Sequence, residues 1–142
     1  MTIINLSDGN SVLNQYLAEI RDKDIQKNHM RFRRNLERIG EIFAYEISRQ
    51  LNYKTVEVTT PLGISKCSVI ADDIVLATIL RAGLPLHNGL LNYFDGAQNA
   101  FIAAYRKYGK DNKFDIKLEY LTSPSVDGKV LILADTMLAT GA

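Results

Sequence analysis

A single cysteine, Cys67, excludes an internal disulfide from this 142-residue chain. The only histidines, His29 and His87, have no third ligand candidate near them in sequence, so a metal site of imidazole and thiolate is not expected. All three read as ordinary polar or core residues. An excess of one charge is also lacking: 17 basic against 16 acidic residues leave a net charge of +1, which supplies no general field for nucleic acid or anionic membrane. Any anion site must therefore be local. No run approaches the roughly 18 apolar residues of a membrane span. The opening "MTIINLSDGN" has neither the basic region nor the apolar core of a secretory signal, and the chain reads as cytoplasmic. Internal repeats, low-complexity tracts and interdomain linkers are missing too.

What is present suits one ordinary folded domain. With 46% hydrophobic residues, a chain of this length buries roughly two-thirds of its surface. Val12, Leu13, Tyr16, Leu17 and Ile20 follow the turn-prone "SDGN" at helical spacing and predict a helix over about residues 10–21. Phe32, Leu36, Ile39, Phe43, Ile47 and Leu51 predict a longer amphipathic helix ending near Leu51. The period then changes to two, with Val56 and Val58 on one side of Pro61-Leu62-Gly63 and Cys67 and Val69 on the other, which predicts two antiparallel strands.

The run "IVLATIL" from Ile74 to Leu80 is continuous and β-branched, as a strand buried on both faces of a parallel sheet requires. Leu84, Leu90, Leu91 and Phe94 fit one face of a following helix, with Pro85 in its first turn and Asp95-Gly96 closing it. A strand is expected over Ala100–Tyr105. Next, Phe114, Ile116, Leu118 and Tyr120 alternate with polar residues as a half-covered antiparallel arm, and Val130–Ala134 forms a last strand. The tyrosines Tyr45, Tyr93, Tyr105 and Tyr108 read as packing residues. This order implies a doubly wound α/β sheet, whose sites lie at the carboxyl ends of its strands.

Three strand ends then carry chemistry: Arg81, Arg106 and Asp135. Arg81 stands where a buried strand meets Ala82-Gly83, placing a guanidinium that can clamp a diphosphate bidentately. Arg106 ends the next strand. Asp135 follows the apolar run "VLILA" and precedes "TMLATGA", where Thr140-Gly141 can turn successive N–H groups toward an anion. Two cations and a carboxylate on one crevice suit a polyanionic sugar phosphate.

The blocks "ILRAGLPLHNGLL", "AYR" and "LILADTMLATGA" resemble uracil phosphoribosyltransferase, of the type I phosphoribosyltransferase family, and "IRDKDIQKNHMRFRRNLERIGEIFAYEI" is similar to that family's amino-terminal helices. The resemblance implies an α/β fold with a parallel sheet, flanking helices over residues 1–52 and an antiparallel β-arm over 106–124, in a single domain truncated at its carboxyl end. It implies transfer of ribose 5-phosphate from phosphoribosyl pyrophosphate to a uracil ring nitrogen in pyrimidine salvage, with magnesium on the donor's diphosphate and no dedicated protein metal site. It also implies a homo-oligomer. Arg81 and Arg106 would hold the pyrophosphate end, Ala82 and Gly83 the pyrophosphate loop, and Asp135 the ribose hydroxyls; Arg81, Arg106 and Asp135 would be the catalytic set. Thr136, Met137, Leu138, Ala139, Thr140, Gly141 and Ala142 would begin the 5-phosphate loop. The family has Pro at the position of Thr136 and Gly at that of Ala142, where alanine reaches φ > 0 less cheaply.

In that family the uracil pocket lies in a later segment with no counterpart in these residues, so the 142-residue chain alone is expected to be inactive. Two other classes stand beside this reading. A nucleotide-responsive regulator that binds RNA would present a basic surface for which "RFRR" could be mistaken, although such a cluster on a helix is more often a solvated face. The alternating arm suggests a noncatalytic dimerisation module.

Overall fold

The computed structural model describes residues 2–108 and 114–137. Helix α1 spans Val12–Arg21, and Ser11 caps it by accepting a hydrogen bond from Leu13 N. A 3-10 turn, Ile25–Lys27, leads to α2, His29–Ser48, capped in the same manner by the Asn28 side chain. Helix α2 stops short of the expected Leu51, which lies half-buried against the core after the helix ends. Strands β1, Tyr53–Thr60, and β2, Gly63–Ile70, form an antiparallel hairpin of their own, turned at Gly63 with φ 132°.

The main sheet contains β3, Ile74–Leu80; β4, Gln98–Tyr108; β5, Phe114–Thr122; and β6, Val130–Ala134. Its order is β5-β4-β3-β6, with β3 parallel to β4 and β6, and β5 antiparallel to β4. Helix α3, Leu84–Leu91, crosses from β3 to β4. The predicted arm is thus the edge of the main sheet. Strand β4 runs past the expected Tyr105 because β5 supplies hydrogen-bond partners as far as Tyr108, opposite Phe114. Leu118 and Tyr120 are more than half exposed, so the arm is less covered than its alternation implies.

The core lies between one face of this sheet and the three helices: Ile74, Leu76, Ile132 and Ala134 meet Leu86 and Leu90 of α3, with Ile39 and Ala44 of α2 and Leu13 of α1 behind them. The α3 face matches the expected one in part, because Leu90 and Phe94 are buried and Leu91 packs against the core. Leu84 is 38% exposed, and the buried stripe is Leu86, His87, Gly89 and Leu90. Tyr45 and Tyr93 are likewise exposed rather than packed, and the Arg49 guanidinium covers the Tyr45 ring at 5.1 Å. On the opposite sheet face, Val75, Ala77 and Ala100 form a small cluster beside the half-exposed Leu131 and Leu133.

Helix α1 is pinned to α2 by one buried carboxylate. Glu19 accepts two hydrogen bonds from the Arg31 guanidinium, both 2.8 Å, one from Asn35 Nδ2 at 2.7 Å and one from Gln15 Nε2 at 3.0 Å. Arg31, then Asn35 and Gln15, hold the Glu19 pKa down from 4.5 to about 2. A depressed carboxylate stabilises the folded state above its unfolded pKa and loses that contribution as pH falls through the folded one. Glu19→Gln is therefore expected to melt below the parent at pH 7, with the gap closing between about pH 4.5 and pH 2. Melting temperatures of both proteins across that range check it; a gap independent of pH contradicts the assignment.

Candidate functional site

The carboxyl end of β3, with the middle of β4 and the facing part of β5, opens onto a cavity of about 490 Å³ lined by Leu80, Arg81, Ala103, Ala104 and Glu119. Arg81 is exposed at the first residue after β3, following a cis Leu80–Arg81 peptide bond. Ala82 is exposed beside it, whereas Gly83 is buried. The chain turns tightly here, because Gly83 N donates to Ile79 O at 3.1 Å and His87 N donates to Gly83 O at 2.9 Å, starting α3 directly above the sheet.

The glycine is required by space, not by its dihedral angles. Gly83 has φ −71° and ψ −14°, which any residue adopts. A Cβ at this position would stand 2.0 Å from Thr78 Oγ1, 2.8 Å from Ile79 O and 3.3 Å from Ala134 O. The loop therefore rests on the sheet through a glycine surface. His87, one turn into α3, fills the space above β4, with its Nε2 2.7 Å from Asn99 Oδ1 and its ring against Phe101.

On the other side of β3, Ala134 pairs with Thr78, so Asp135 leaves β6 close to the carboxyl end of β3. Its carboxylate is exposed, and Oδ1 accepts a 2.8 Å hydrogen bond from Thr136 N. Met137 is exposed, and Leu138, Ala139, Thr140, Gly141 and Ala142 lie outside the described residues.

Arg106 does not end its strand. It pairs with Ile116 inside β4, three positions beyond Ala103, the partner of Leu80. Because strands rise about 3.3 Å per residue, its Cα lies about 10 Å further along the sheet than the end of β3. Arg81 and Asp135 flank one strand end; the Arg106 backbone stands at the outer rim.

Two residues near the end of β3 carry no motif in the sequence. Glu119 reads as the polar member of an alternating strand, yet it falls in a β-bulge: Ala103 pairs with Tyr120 and Ala104 with Leu118, leaving Glu119 without an opposite residue. Bulges re-aim side chains beside sites, and Glu119 lines the cavity with Arg81. Thr78 reads as one more β-branched strand residue, although its buried hydroxyl faces both loops. The amino-acid pattern carries a signal for neither role.

The "RFRR" cluster is largely occupied. Arg31 binds Glu19, Arg34 pairs with Glu37 at 2.7 Å, and Arg33 remains exposed on the solvated face of α2. Among the described residues, no three His, Cys, Asp or Glu converge on a possible metal position, and no helix is long and apolar enough to cross a membrane.

Residues 8–142 match the family model described as uracil phosphoribosyltransferase. The chain belongs to the uracil phosphoribosyltransferase family. It is 55% identical over 142 residues to the uracil phosphoribosyltransferase of Porphyromonas gingivalis, covering all of this chain and 66% of that protein. With the uracil phosphoribosyltransferase of Methanothermobacter thermautotrophicus it shares 38% identity over 134 residues, covering 93% of this chain and 60% of the relative. The structure of the AQ2163 protein from Aquifex aeolicus superimposes with a TM-score of 0.81 at 25% identity, covering 94% of this chain and 62% of that one. The chain thus spans about two-thirds of the curated relatives' length or less, and within that span it carries the family's α/β fold, a mixed sheet with a parallel centre and flanking helices.

Proposed function

We propose that the protein transfers ribose 5-phosphate from phosphoribosyl pyrophosphate to uracil, forming uridine monophosphate and releasing pyrophosphate, as a cytoplasmic homo-oligomer in pyrimidine salvage. The observation that supports this reading within the family is the placement of Arg81 and Asp135 on opposite sides of the end of β3, around a tight glycine turn that begins a helix. A cation and a carboxylate there suit the two ends of a phosphorylated sugar: the guanidinium takes diphosphate oxygens, and the carboxylate accepts from ribose hydroxyls.

Breaking the bond between ribose and diphosphate leaves negative charge on the diphosphate and positive charge on the ribose. In this reading Arg81, with Arg106 from the rim, stabilises the departing diphosphate, and Asp135 orients the ring for attack by the uracil nitrogen. Ala82 and Gly83 present backbone to the diphosphate, and Thr136 and Met137 lead toward the 5-phosphate. In the same reading magnesium would accompany the donor, held by phosphate oxygens and neutralising their charge.

Calorimetric titration of the full chain with phosphoribosyl pyrophosphate and magnesium, beside an assay of uridine monophosphate formation, tests the proposal. Arg81→Ala and Asp135→Asn are each expected to weaken donor binding at least tenfold, about 1.4 kcal/mol, through loss of a charge-assisted hydrogen bond. Unchanged binding in both folded variants would place the donor elsewhere.

A further inference from the structure

The two segments assigned to the donor come from distant parts of the sequence, yet they meet at one side chain. Thr78 is fully buried in β3, and its Oγ1 donates a 3.0 Å hydrogen bond to Ala134 O, 56 positions away. That oxygen belongs to the peptide unit leading directly into Asp135, so the bond restrains the plane from which the Asp135 side chain departs. The same Oγ1 underlies Gly83: a Cβ on this glycine would meet it at 2.0 Å and Ala134 O at 3.3 Å. One hydroxyl therefore spaces the Arg81–Gly83 turn from the sheet while holding the end of β6.

We propose that Thr78 is a positioning residue that sets the distance and orientation between the Arg81–Gly83 turn and Asp135, and thereby the fit of the sugar diphosphate that both engage. This rests on the donor reading given above. Thr78 touches neither substrate; it acts through Ala134 and Gly83. Valine at this position keeps the branched shape and the apolar contacts of the strand, but presents a methyl group to a carbonyl oxygen and to the glycine. Ala134 O then loses its donor, the end of β6 is released, and the turn is pushed outward by the larger group.

The test is calorimetry of the full chain with magnesium and phosphoribosyl pyrophosphate, comparing the parent, Thr78→Val and Thr78→Ser, together with the steady-state KM for each substrate. Thr78→Val is expected to bind the donor about tenfold more weakly, the loss of about one hydrogen bond's worth of positioning. The donor KM should rise and the uracil KM should stay within about twofold, while Thr78→Ser, which keeps the hydroxyl, remains within about twofold of the parent throughout. A merely structural role would lower the melting temperature without this split and without rescue by serine. If Thr78→Val yields no folded protein, Thr78→Ala against Thr78→Ser makes the same comparison.

The outcomes separate the two claims. A parent protein that does not bind the donor overturns the donor reading and this inference with it. A parent that binds, with Thr78→Val equal to it, overturns the role of Thr78 alone. Equal weakening in the valine and serine variants also overturns it, since retaining the hydroxyl would then not preserve the fit. Weakening by valine with rescue by serine supports it.

Discussion

Gly83→Ala is expected to abolish measurable donor binding and to lower the melting temperature. The new methyl group would lie 2.0 Å from Thr78 Oγ1 and 2.8 Å from Ile79 O. The hydroxyl has little freedom, because Thr78 is fully buried and its bond to Ala134 O is already made. Ile79 O is backbone, and it holds the turn through the 3.1 Å bond from Gly83 N. The turn must therefore lift from the sheet, taking Arg81 with it. Inserting one methyl group into such a contact costs about 1–3 kcal/mol of stability, and the displacement separates Arg81 from Asp135. Thermal unfolding and titration with the donor read these effects independently. A Gly83→Ala protein with parental melting and parental affinity would show that the turn has slack between α3 and the sheet.

Gly89→Ala is expected to destabilise the chain by about as much through a different contact. Helices α2 and α3 approach at two glycines: a Cβ on Gly89 would stand 2.0 Å from Glu37 O, and one on Gly40 2.3 Å from Leu86 O. Both obstructions are backbone, so no side chain can rotate away. Alanine gains about 1 kcal/mol in helix propensity, but the helices must separate, opening the contacts of Ile39 with Leu86 and Leu90 and stretching the 2.9 Å bond from Asn92 to Glu41. A net loss of about 2 kcal/mol corresponds to a fall of roughly 8 °C in melting temperature for a domain of this size. Gly96→Ala, where a Cβ meets nothing within 4 Å, is the matching control and should melt with the parent. Equal melting of the Gly89 and Gly96 variants would refute the close approach.

Much of this architecture was legible because burial imposes period. The run from Ile74 to Leu80 is apolar at every position save one threonine, and β3 is indeed flanked by strands on both sides. The spacing of Leu36, Ile39 and Phe43 marks the face of α2 that meets the core. The incomplete reading of α3 has a physical source: two of its four buried residues are His87 and Gly89, one anchored by Asn99 and the other chosen for helix contact, so an apolar-period reading passes over both.

The strand-end positions of Arg81 and Asp135 were visible because each directly follows an apolar run. Arg106 was misplaced because the length of β4 is decided by its pairing with β5, a partner that local pattern does not reveal. Thr78 and Glu119 were hidden for the same kind of reason. A hydroxyl that bonds across 56 positions and a carboxylate turned by a register shift leave no mark in their immediate neighbours.

The pairing of β6 with β3 carries a consequence for the order of assembly. Among the described residues β6 pairs with β3 alone, and everything from α3 to β5 intervenes in the chain. Closing so long a loop has an entropic cost that local structure does not offset, and such distant pairings form slowly. The helices, the hairpin and the β3–α3–β4 unit can organise while Asp135 is still far from Arg81. A ligand that needs both residues favours only chains in which this closure is complete. During synthesis or refolding, a donor bound as proposed above would therefore act as a latch on the β3–β6 pairing and give no help to the earlier stages.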